Sequence, residues 1–318
     1  MKRRVLEGEA VLITGGAGFI GSSLVERLAP HNDVALLDDL SSGSLENLAS
    51  VRGEVHLIKA SVLDRQAVLR AAKRRAIVFH LAALTSPTES FEQPARYGDV
   101  NVLGTANVLA AALQVRARSF VFASSAAVYG PARAERIAET ARPNPKSPYA
   151  VTKFAGEQLC DAAASDGRLG IVKLRIFNAF GPRQSASSAY ASAIARFAAA
   201  AAAGEPIVVF GSGAQTRDFV YVDNVARAFE LAAVSPEARG EVINVGTGRA
   251  RSVLDVIAAL EKLTGRQLQR VARPRRQGDV ARSCADGRKA KRLLGFAPEI
   301  EFEEGVRRVL GRHLKGDD

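Results

Sequence analysis

Over the first 180 residues, short continuous apolar runs alternate with longer stretches whose apolar positions recur at helical spacing. Val11-Leu-Ile-Thr14 reads as a buried strand and Phe19 to Leu28 as the helix behind it. Val34 to Leu37, Val55 to Ile58, Ile77 to His80, Phe120 to Ala123 and Ile171 to Ile176 continue the strands. Amphipathic stretches such as Val100 to Leu113 and Tyr149 to Ala164 fall between them. A strand that is apolar at nearly every position has both faces covered, and strands separated by helices join as parallel neighbours. The pattern predicts an α/β protein built on a doubly wound parallel sheet.

Beyond Phe180-Gly-Pro-Arg183 the rhythm changes. Loops lengthen, a strand is predicted at Ile207 to Phe210 and a helix from Ser252 to Leu263, while Ala191 to Ala203 reads as a small-residue helix. The expected division is residues 1–178 as the sheet domain and 179–318 as mainly a smaller, mixed α/β lobe. That lobe would lie across the carboxyl edge of the sheet, where open parallel sheets bind ligands. Two strands within 215–248, Phe219 to Val222 and Val242 to Val245, are expected to return to the main sheet.

Composition narrows the class. With 47% hydrophobic residues, a 318-residue chain can bury a sizeable core without disulfides or metal. The two cysteines, Cys160 and Cys284, lie far apart with no CxxC and no nearby His pair. That argues against a metal site or disulfide framework and for a reducing cytoplasm. Glu7 and Glu9 interrupt any apolar h-region after Met1-Lys-Arg-Arg4, and no apolar stretch reaches the roughly 18 residues of a membrane span. The net charge of +11 invites a nucleic-acid reading, but no aromatic-interleaved basic motif accompanies it. Surface basicity, or a positive cleft for a diphosphate, accounts for the charge as well. Neither nucleic acid nor membrane is expected as a partner.

Gly15-Gly-Ala-Gly18-Phe-Ile-Gly21 follows a predicted strand and opens a predicted helix. Glycines there tighten the turn, admit a pyrophosphate close to the backbone and let helix pack on strand. The helix N-terminus adds free N–H groups and the positive end of its dipole. Asp38 ends the second strand about 20 residues further on, where a carboxylate accepts from an adenosine ribose diol. Its charge would repel a 2′-phosphate, which favours NAD over NADP.

Chemistry is suggested further along. Ser147-Pro-Tyr149 begins a helix with an N-capping serine and a proline in its first turn, and Lys153 follows Tyr149 at i+4 on the same face. A neighbouring ammonium and a positive nicotinamide ring favour a phenolate, so the spacing predicts a tyrosine whose pKa lies below its usual value of about 10. Such a phenol exchanges protons with a sugar hydroxyl. Ser124-Ser125 directly follows the strand that ends at Ala123, placing a hydroxyl at the strand's carboxyl end.

With these segments in this order, the sequence resembles the extended short-chain dehydrogenase/reductases, specifically the NAD-dependent epimerase/dehydratase family. The resemblance covers nearly the whole chain. It rests on Thr14 to Gly21, Leu37 to Gly43, His80 to Ala83, Asn101 to Thr105, Ser124 to Gly130, Tyr149 to Lys153 and Arg175 to Gly181. In the second lobe it continues through Gly211 to Asn224 and Arg276-Gln-Gly-Asp279. UDP-glucose and UDP-N-acetylglucosamine 4-epimerases look most similar. The resemblance implies a Rossmann-type NAD-binding domain, with Ser125, Tyr149 and Lys153 as the catalytic set. It implies a cofactor site of Gly15, Gly18, Phe19, Ile20, Gly21, Asp38, Asp39, Ser42, Leu81, Ala82, Ala83, Asn101, Ser124 and Phe177, with Tyr149 and Lys153 also touching NAD. Ser61 and Val62 stand where relatives contact adenine; Ala60-Ser61 replaces the usual Gly-Asp pair. Thr85, Ser125, Asn178, Tyr190, Arg217, Arg276, Asp279 and Ser283 would bind the UDP-sugar, the two arginines clamping its diphosphate. Relatives form homodimers through two helices, here Val100 to Leu113 and Tyr149 to Ala164.

Two positions separate the reactions found among such proteins. Dehydratases and decarboxylases resembling this chain carry acidic residues where it has Ala126-Ala127, side chains that cannot transfer protons. That favours C4 epimerisation of a UDP-hexose through a transient 4-keto sugar. Ser283 matches a position at which a bulky tyrosine excludes N-acetylated sugars in relatives, so UDP-N-acetylglucosamine is expected to be accepted alongside UDP-glucose. A 4-epimerase of a UDP-uronic acid, a nucleotide-sugar reductase and a non-catalytic NAD sensor use overlapping features and stay open at this point. His80 and Cys160 read as packing residues.

Overall fold

A computed structural model of the chain describes residues 6–132, 134–165, 167–184, 193–274 and 280–314. Its first strand shows how the apolar runs are used. Val11 and Ile13 face one side and Leu12 the other, and all three are fully buried in two separate apolar clusters. The chain runs β1 (Ala10–Thr14), α1 (Phe19–Leu28), β2 (Asp33–Asp38), β3 (Val55–Lys59), α2 (Arg65–Ala72), β4 (Ile77–His80), α3 (Glu89–Glu92), α4 (Pro94–Gly98), α5 (Gly104–Gln114), β5 (Ser119–Ser125) and α6 (Pro148–Ala164). It continues through β6 (Gly170–Ile176), β7 (Asn178–Phe180), α7 (Ala193–Ala203), β8 (Ile207–Phe210), β9 (Thr216–Tyr221), α8 (Val222–Val234), β10 (Val242–Val245), β11 (Ala250–Ser252), α9 (Val253–Thr264), β12 (Arg270–Arg273), β13 (Arg282–Ser283), α10 (Arg288–Leu294) and α11 (Phe302–Leu314).

Seven of these strands form the main sheet in the order β10-β6-β5-β4-β1-β2-β3, every neighbouring pair parallel. The order reverses between β1 and β4, and a crevice opens at such a switch point outside the strands' carboxyl ends. On one face α1 and α8 bury Leu24, Val25, Val225 and Phe229 against the sheet. On the other, α2, α5 and α6 bury Val68, Val108, Leu109 and Cys160. This is the doubly wound fold that the strand–helix alternation predicts.

The second lobe differs from expectation in one strand. Val242–Val245 joins the main sheet beside β6. The strand containing Phe219 does not: β9 lies in a separate small sheet, between β11 and β13 and paired also with β7. The cause is the aromatic cluster of this lobe. Phe180 of β7 packs edge-on against Phe219 and Tyr221 of β9, with ring centroids 6.2 and 5.6 Å apart, and their common neighbours come from α7, α9 and α11. Burying those rings together outweighs extending a sheet whose edge β10 already covers.

Helix signals matched their mechanisms. Ser147 caps α6 by accepting the Ala150 amide at 3.2 Å, and Pro148 sits in the first turn. Ser252 and Asp255 form a reciprocal capping box at the start of α9. The stretch beginning at Val100 is not one regular helix: Asp99–Leu103 forms a π-helical turn before α5. Among the described residues, no helix is long and apolar enough to cross a membrane.

Candidate active site

The carboxyl ends of β1, β2, β4, β5 and β6 open into one continuous cleft of about 1550 Å³, closed on its far side by Asn178, Arg217 and Ser283 of the second lobe. Pockets for a single drug-sized ligand measure roughly 300–1,000 Å³, so this larger space suits two nucleotide-sized molecules end to end.

At the β1 end, glycine is a steric requirement. Gly15 has φ of +72°, and a Cβ there would lie 2.6 Å from the Ala82 backbone nitrogen. At Gly21 a Cβ would lie 2.0 Å from the Gly15 carbonyl oxygen, inside the loop it must close. Asp38, buried at the end of β2, accepts the amides of Ala17 and Leu40, each at 2.9 Å. Burial raises its pKa above the usual carboxylate value, and the two amides oppose that rise. An ionised carboxylate has about four acceptor positions, so two remain for hydroxyl donors in the cleft.

Tyr149 and Lys153 are both buried on the face of α6 that meets β5. Ser125 caps the turn after β5 by accepting the Ala127 amide at 3.1 Å, and its hydroxyl lies near enough to Tyr149 to favour the phenolate. The Tyr97 ring meets the Tyr149 ring edge-on, centroids 6.4 Å apart. Electrostatics correct one expectation. Burial raises the Tyr149 pKa above its ordinary value, and the nearby Ser125 hydroxyl opposes this without reversing it. Desolvation in so enclosed a position outweighs the lowering that the i+4 spacing suggested. The Lys153 ammonium lies 5.1 Å above the Phe122 ring and burial lowers its own pKa to about 8.

Of the other residues expected at the site, Gly18, Phe19, Ile20, Asp39, Ser42 and Ser61 line the cleft. So do Val62, Leu81, Ala82, Ala83, Thr85, Ser124 and Phe177. Tyr190, Arg276 and Asp279 lie outside the described residues. Asn101, also expected at the cofactor, is not among the residues that line the cleft. Its amide is buried, accepting the Leu84 N–H at 2.8 Å and donating to the Leu84 carbonyl and the Thr152 hydroxyl, each at 3.0 Å.

Three arrangements were missed. Asp218, fully buried on β9, accepts from Thr247, Gly248 and Ala285, and so fixes Arg217 against Ser283, its partner in register on β13. Glu157 lies below Lys153, bound to Arg175 and Ser124. His80 lies between two threonines, 2.7 Å from Thr14 and 2.9 Å from Thr105. The Thr105 hydroxyl donates to the Asn101 carbonyl at 2.6 Å, so it accepts from His80 Nε2–H, and Nδ1 accepts from Thr14. A polar residue at i+8 from Tyr149 signalled Glu157; the other two depend on contacts far apart in sequence.

The comparisons with known proteins agree with this geometry. The model of the NAD dependent epimerase/dehydratase family matches residues 11–246. The UDP-glucose 4-epimerase of Mycolicibacterium smegmatis is 37% identical over 94% of this chain and 96% of its own. The structure of the UDP-N-acetylglucosamine 4-epimerase from Methanobrevibacter ruminantium, complexed with UDP-N-acetylmuramic acid, superposes with a TM-score of 0.93 at 34% identity, over 98% of this chain and 99% of that one. The Thermus thermophilus UDP-glucose 4-epimerase complexed with NAD gives 0.88 at 37% identity, over 97% and 100%. The protein defined by this fold and cleft is a Rossmann-type member of the short-chain dehydrogenase/reductases. The chain belongs to the NAD dependent epimerase/dehydratase family. Its residues fit NAD: the Cβ-free cradle at Gly15 and Gly21 leaves the α1 N-terminus open to a pyrophosphate, and Asp38 keeps acceptor positions for a ribose diol.

Burial lowers the His80 pKa to about 3, with the Lys153 charge adding to the effect. The unfolded chain binds a proton near pH 6.5 that the folded chain refuses, so stability is lost as pH falls from 6.5 toward 3. By pH 5 this group costs about 2 kcal/mol. Urea unfolding at pH 7 and pH 5 should show that loss in the protein and much less of it in His80→Gln. Equal losses in both would remove His80 as the cause.

Proposed function

We propose that the protein is an isomerase that interconverts the C4 epimers of a UDP-hexose, accepting UDP-glucose and UDP-N-acetylglucosamine. The observation carrying this reading is that Ser125, Tyr149 and Lys153 line one cleft, while Ala126 and Ala127, the two residues after Ser125, offer no proton-transferring group. Elimination needs further acid/base groups, whereas epimerisation needs one acid/base and a reversible hydride acceptor. The Mycolicibacterium, Methanobrevibacter and Thermus proteins, named as UDP-sugar 4-epimerases, support the same reading.

Tyr149 takes the proton of the C4 hydroxyl and later returns it to the 4-keto sugar's oxygen. Ser125 orients that oxygen, and the Lys153 ammonium favours the phenolate as the proton leaves. NAD, when bound, supplies the hydride acceptor and donor at C4, and its positive ring helps offset the burial that raises the Tyr149 pKa. Arg217 suits the diphosphate, a multidentate anion. Holding the UDP end while leaving the hexose few fixed contacts would let the 4-keto sugar rotate and present its other face. Ser283 presents a small side chain to the cleft beside Arg217, which leaves room for an N-acetyl group.

The protein is also proposed to act as a homodimer. Val151 on α6, Leu103 at the start of α5 and the nearby Phe91 are large apolar side chains about half or more exposed. Facing helices from a second copy would cover them. A cytoplasmic location fits the two buried, unpaired cysteines, and cell fractionation with activity confined to membranes would contradict it.

Product analysis by NMR with both sugars tests the activity. The protein should form the galacto epimers, and Tyr149→Phe should lower turnover by roughly a hundred- to ten-thousand-fold with NAD still bound. Ser283→Tyr should lose the N-acetylated substrate and keep UDP-glucose. Full turnover by Tyr149→Phe, or unchanged selectivity in Ser283→Tyr, would overturn the respective assignment. Sedimentation should give a dimer that Leu103→Glu with Val151→Glu converts to monomer; a monomeric parent protein would end that proposal.

A further inference from the structure

After Asp38 the chain turns back on itself. Leu40 takes a left-handed φ of +61°, a conformation uncommon for any residue but glycine, and residues 41–47 return over the glycine loop. Ser41 and Ser42 line the cleft there. Gly43 permits the close approach, since a Cβ on it would lie 2.8 Å from the Ala17 carbonyl carbon. The Ala17 oxygen then accepts from the Ser44 N–H at 3.1 Å and from the Asn47 side-chain amide at 2.9 Å. None of the side chains from 39 to 47 is buried, so hydrogen bonds more than apolar packing hold this strap down. A segment with few buried apolar contacts opens at low cost, and its polar ties decide how often it does so.

One of those ties comes from the other lobe. Arg183 follows β7, in a turn closed by the Gln184 N–H on the Gly181 carbonyl at 3.3 Å. The turn is seated on the start of α1, where a Cβ on Gly181 would stand 3.2 Å from Cε2 of Phe19. From there the guanidinium donates to the Asn47 carbonyl at 3.3 Å and to the Ser23 hydroxyl at 2.8 Å, and its Nη2 lies 2.6 Å from the Glu26 carboxylate. Glu26 also accepts the Ser50 hydroxyl at 2.7 Å. Asn47 is thus held on two sides, its carbonyl by Arg183 and its amide by Ala17. We propose that Arg183 is a positioning residue for cofactor retention: reaching across α1 from the second lobe, it pins residues 41–47 over the glycine loop and slows the release of NAD. This goes beyond the epimerase reading, because it requires only that NAD occupy the cleft.

A guanidinium suits this place because its planar fork reaches a carbonyl, a hydroxyl and a carboxylate at once, which a single ammonium does not span. The competing reading is an ion pair that stabilises α1 and leaves the strap alone. α1 carries a pair of that kind for comparison: Arg27 is bound to Glu230 and joins the helix to α8 instead of to the strap. Breaking the Arg27 pair weakens the packing of α1, whereas breaking the Arg183 ties also frees Asn47.

Arg183→Gln in the full-length protein separates the two readings. The protein is loaded with labelled NAD and chased with unlabelled NAD, and the retained label is followed over time. Release should quicken roughly tenfold or more, the factor that the loss of one charge-assisted hydrogen bond supplies. Arg183→Lys, which keeps a charge beside Glu26 without the fork, should quicken it as well. Asn47→Ala breaks the same tie from the other side and should act in the same direction. Combining it with Arg183→Gln should add little, since both free one strap; effects that multiply independently would contradict the proposal. Arg27→Gln should lower the melting temperature and leave release at the parent rate. A folded Arg183→Gln protein that releases NAD at the parent rate would overturn the proposal, whatever its melting temperature. Equal quickening in Arg27→Gln would also overturn it, because a general loosening of α1 would then be the cause. Should Arg183→Gln fail to fold, Arg183→Lys decides, and an unchanged release rate there overturns the idea. The chase uses no sugar substrate, so failure of the epimerase assignment and failure of this proposal are read separately.

Discussion

The reacting end of the cleft depends on how closely α6 can seat on β5. Gly156 lies at that contact, where a Cβ would stand 2.5 Å from Cζ of Phe122. With no side chain there, the helix drops onto the ring, and the same ring supports the Lys153 ammonium from beneath. Tyr149, Lys153 and Glu157 ride on one rigid face, so lifting α6 would withdraw all three at once. Ser125, Ser124 and Arg175 wait for them on the sheet below. Precise placement of an acid/base group is worth several powers of ten in rate, and here one helix–sheet contact supplies it.

Around that contact the protein removes charge where it would interfere and keeps it where it is useful. His80, beneath the cofactor end of the cleft, is held neutral by two threonines and deep burial. The Tyr149 phenol is protonated in the protein alone. Asp38 ends β2 and Arg217 projects from β9, so opposite charges stand on the two walls. This division matches the proposed assignment of a ribose diol to one wall and a diphosphate to the other. Asp218 makes the second wall stiff, gathering four donors from two loops behind Arg217 and Ser283.

Local patterns carried most of the fold. Ile77–His80 and Ile207–Phe210 were legible to the residue, because apolar runs bounded by polar residues and glycines report burial directly. The glycine loop, Asp38, Ser125, Tyr149 and Lys153 were legible because each sits at a strand end or helix start that sequence can locate. What was not legible depends on distant partners. The strand at Phe219 left the main sheet to join an aromatic cluster whose other rings are Phe180, Tyr221 and Phe302. Asn101 is held by Leu84 and Thr152, partners 17 and 51 residues away in sequence. The phenol's pKa moved opposite to the spacing argument, since an i+4 ammonium is visible in sequence and desolvation is not. Glu157 and Asp218 look like ordinary acidic residues until the sheet register brings their partners to them.

The central claim is that C4 of a UDP-hexose loses a hydride and recovers it on its other face within one cleft. UDP-glucose and UDP-N-acetylglucosamine deuterated at C4 test this most directly, with the galacto products analysed by NMR. The account predicts products that retain deuterium at C4 and take up no hydrogen there from solvent. Products with C4 deuterium exchanged for solvent hydrogen, or no galacto product from either sugar, would contradict it.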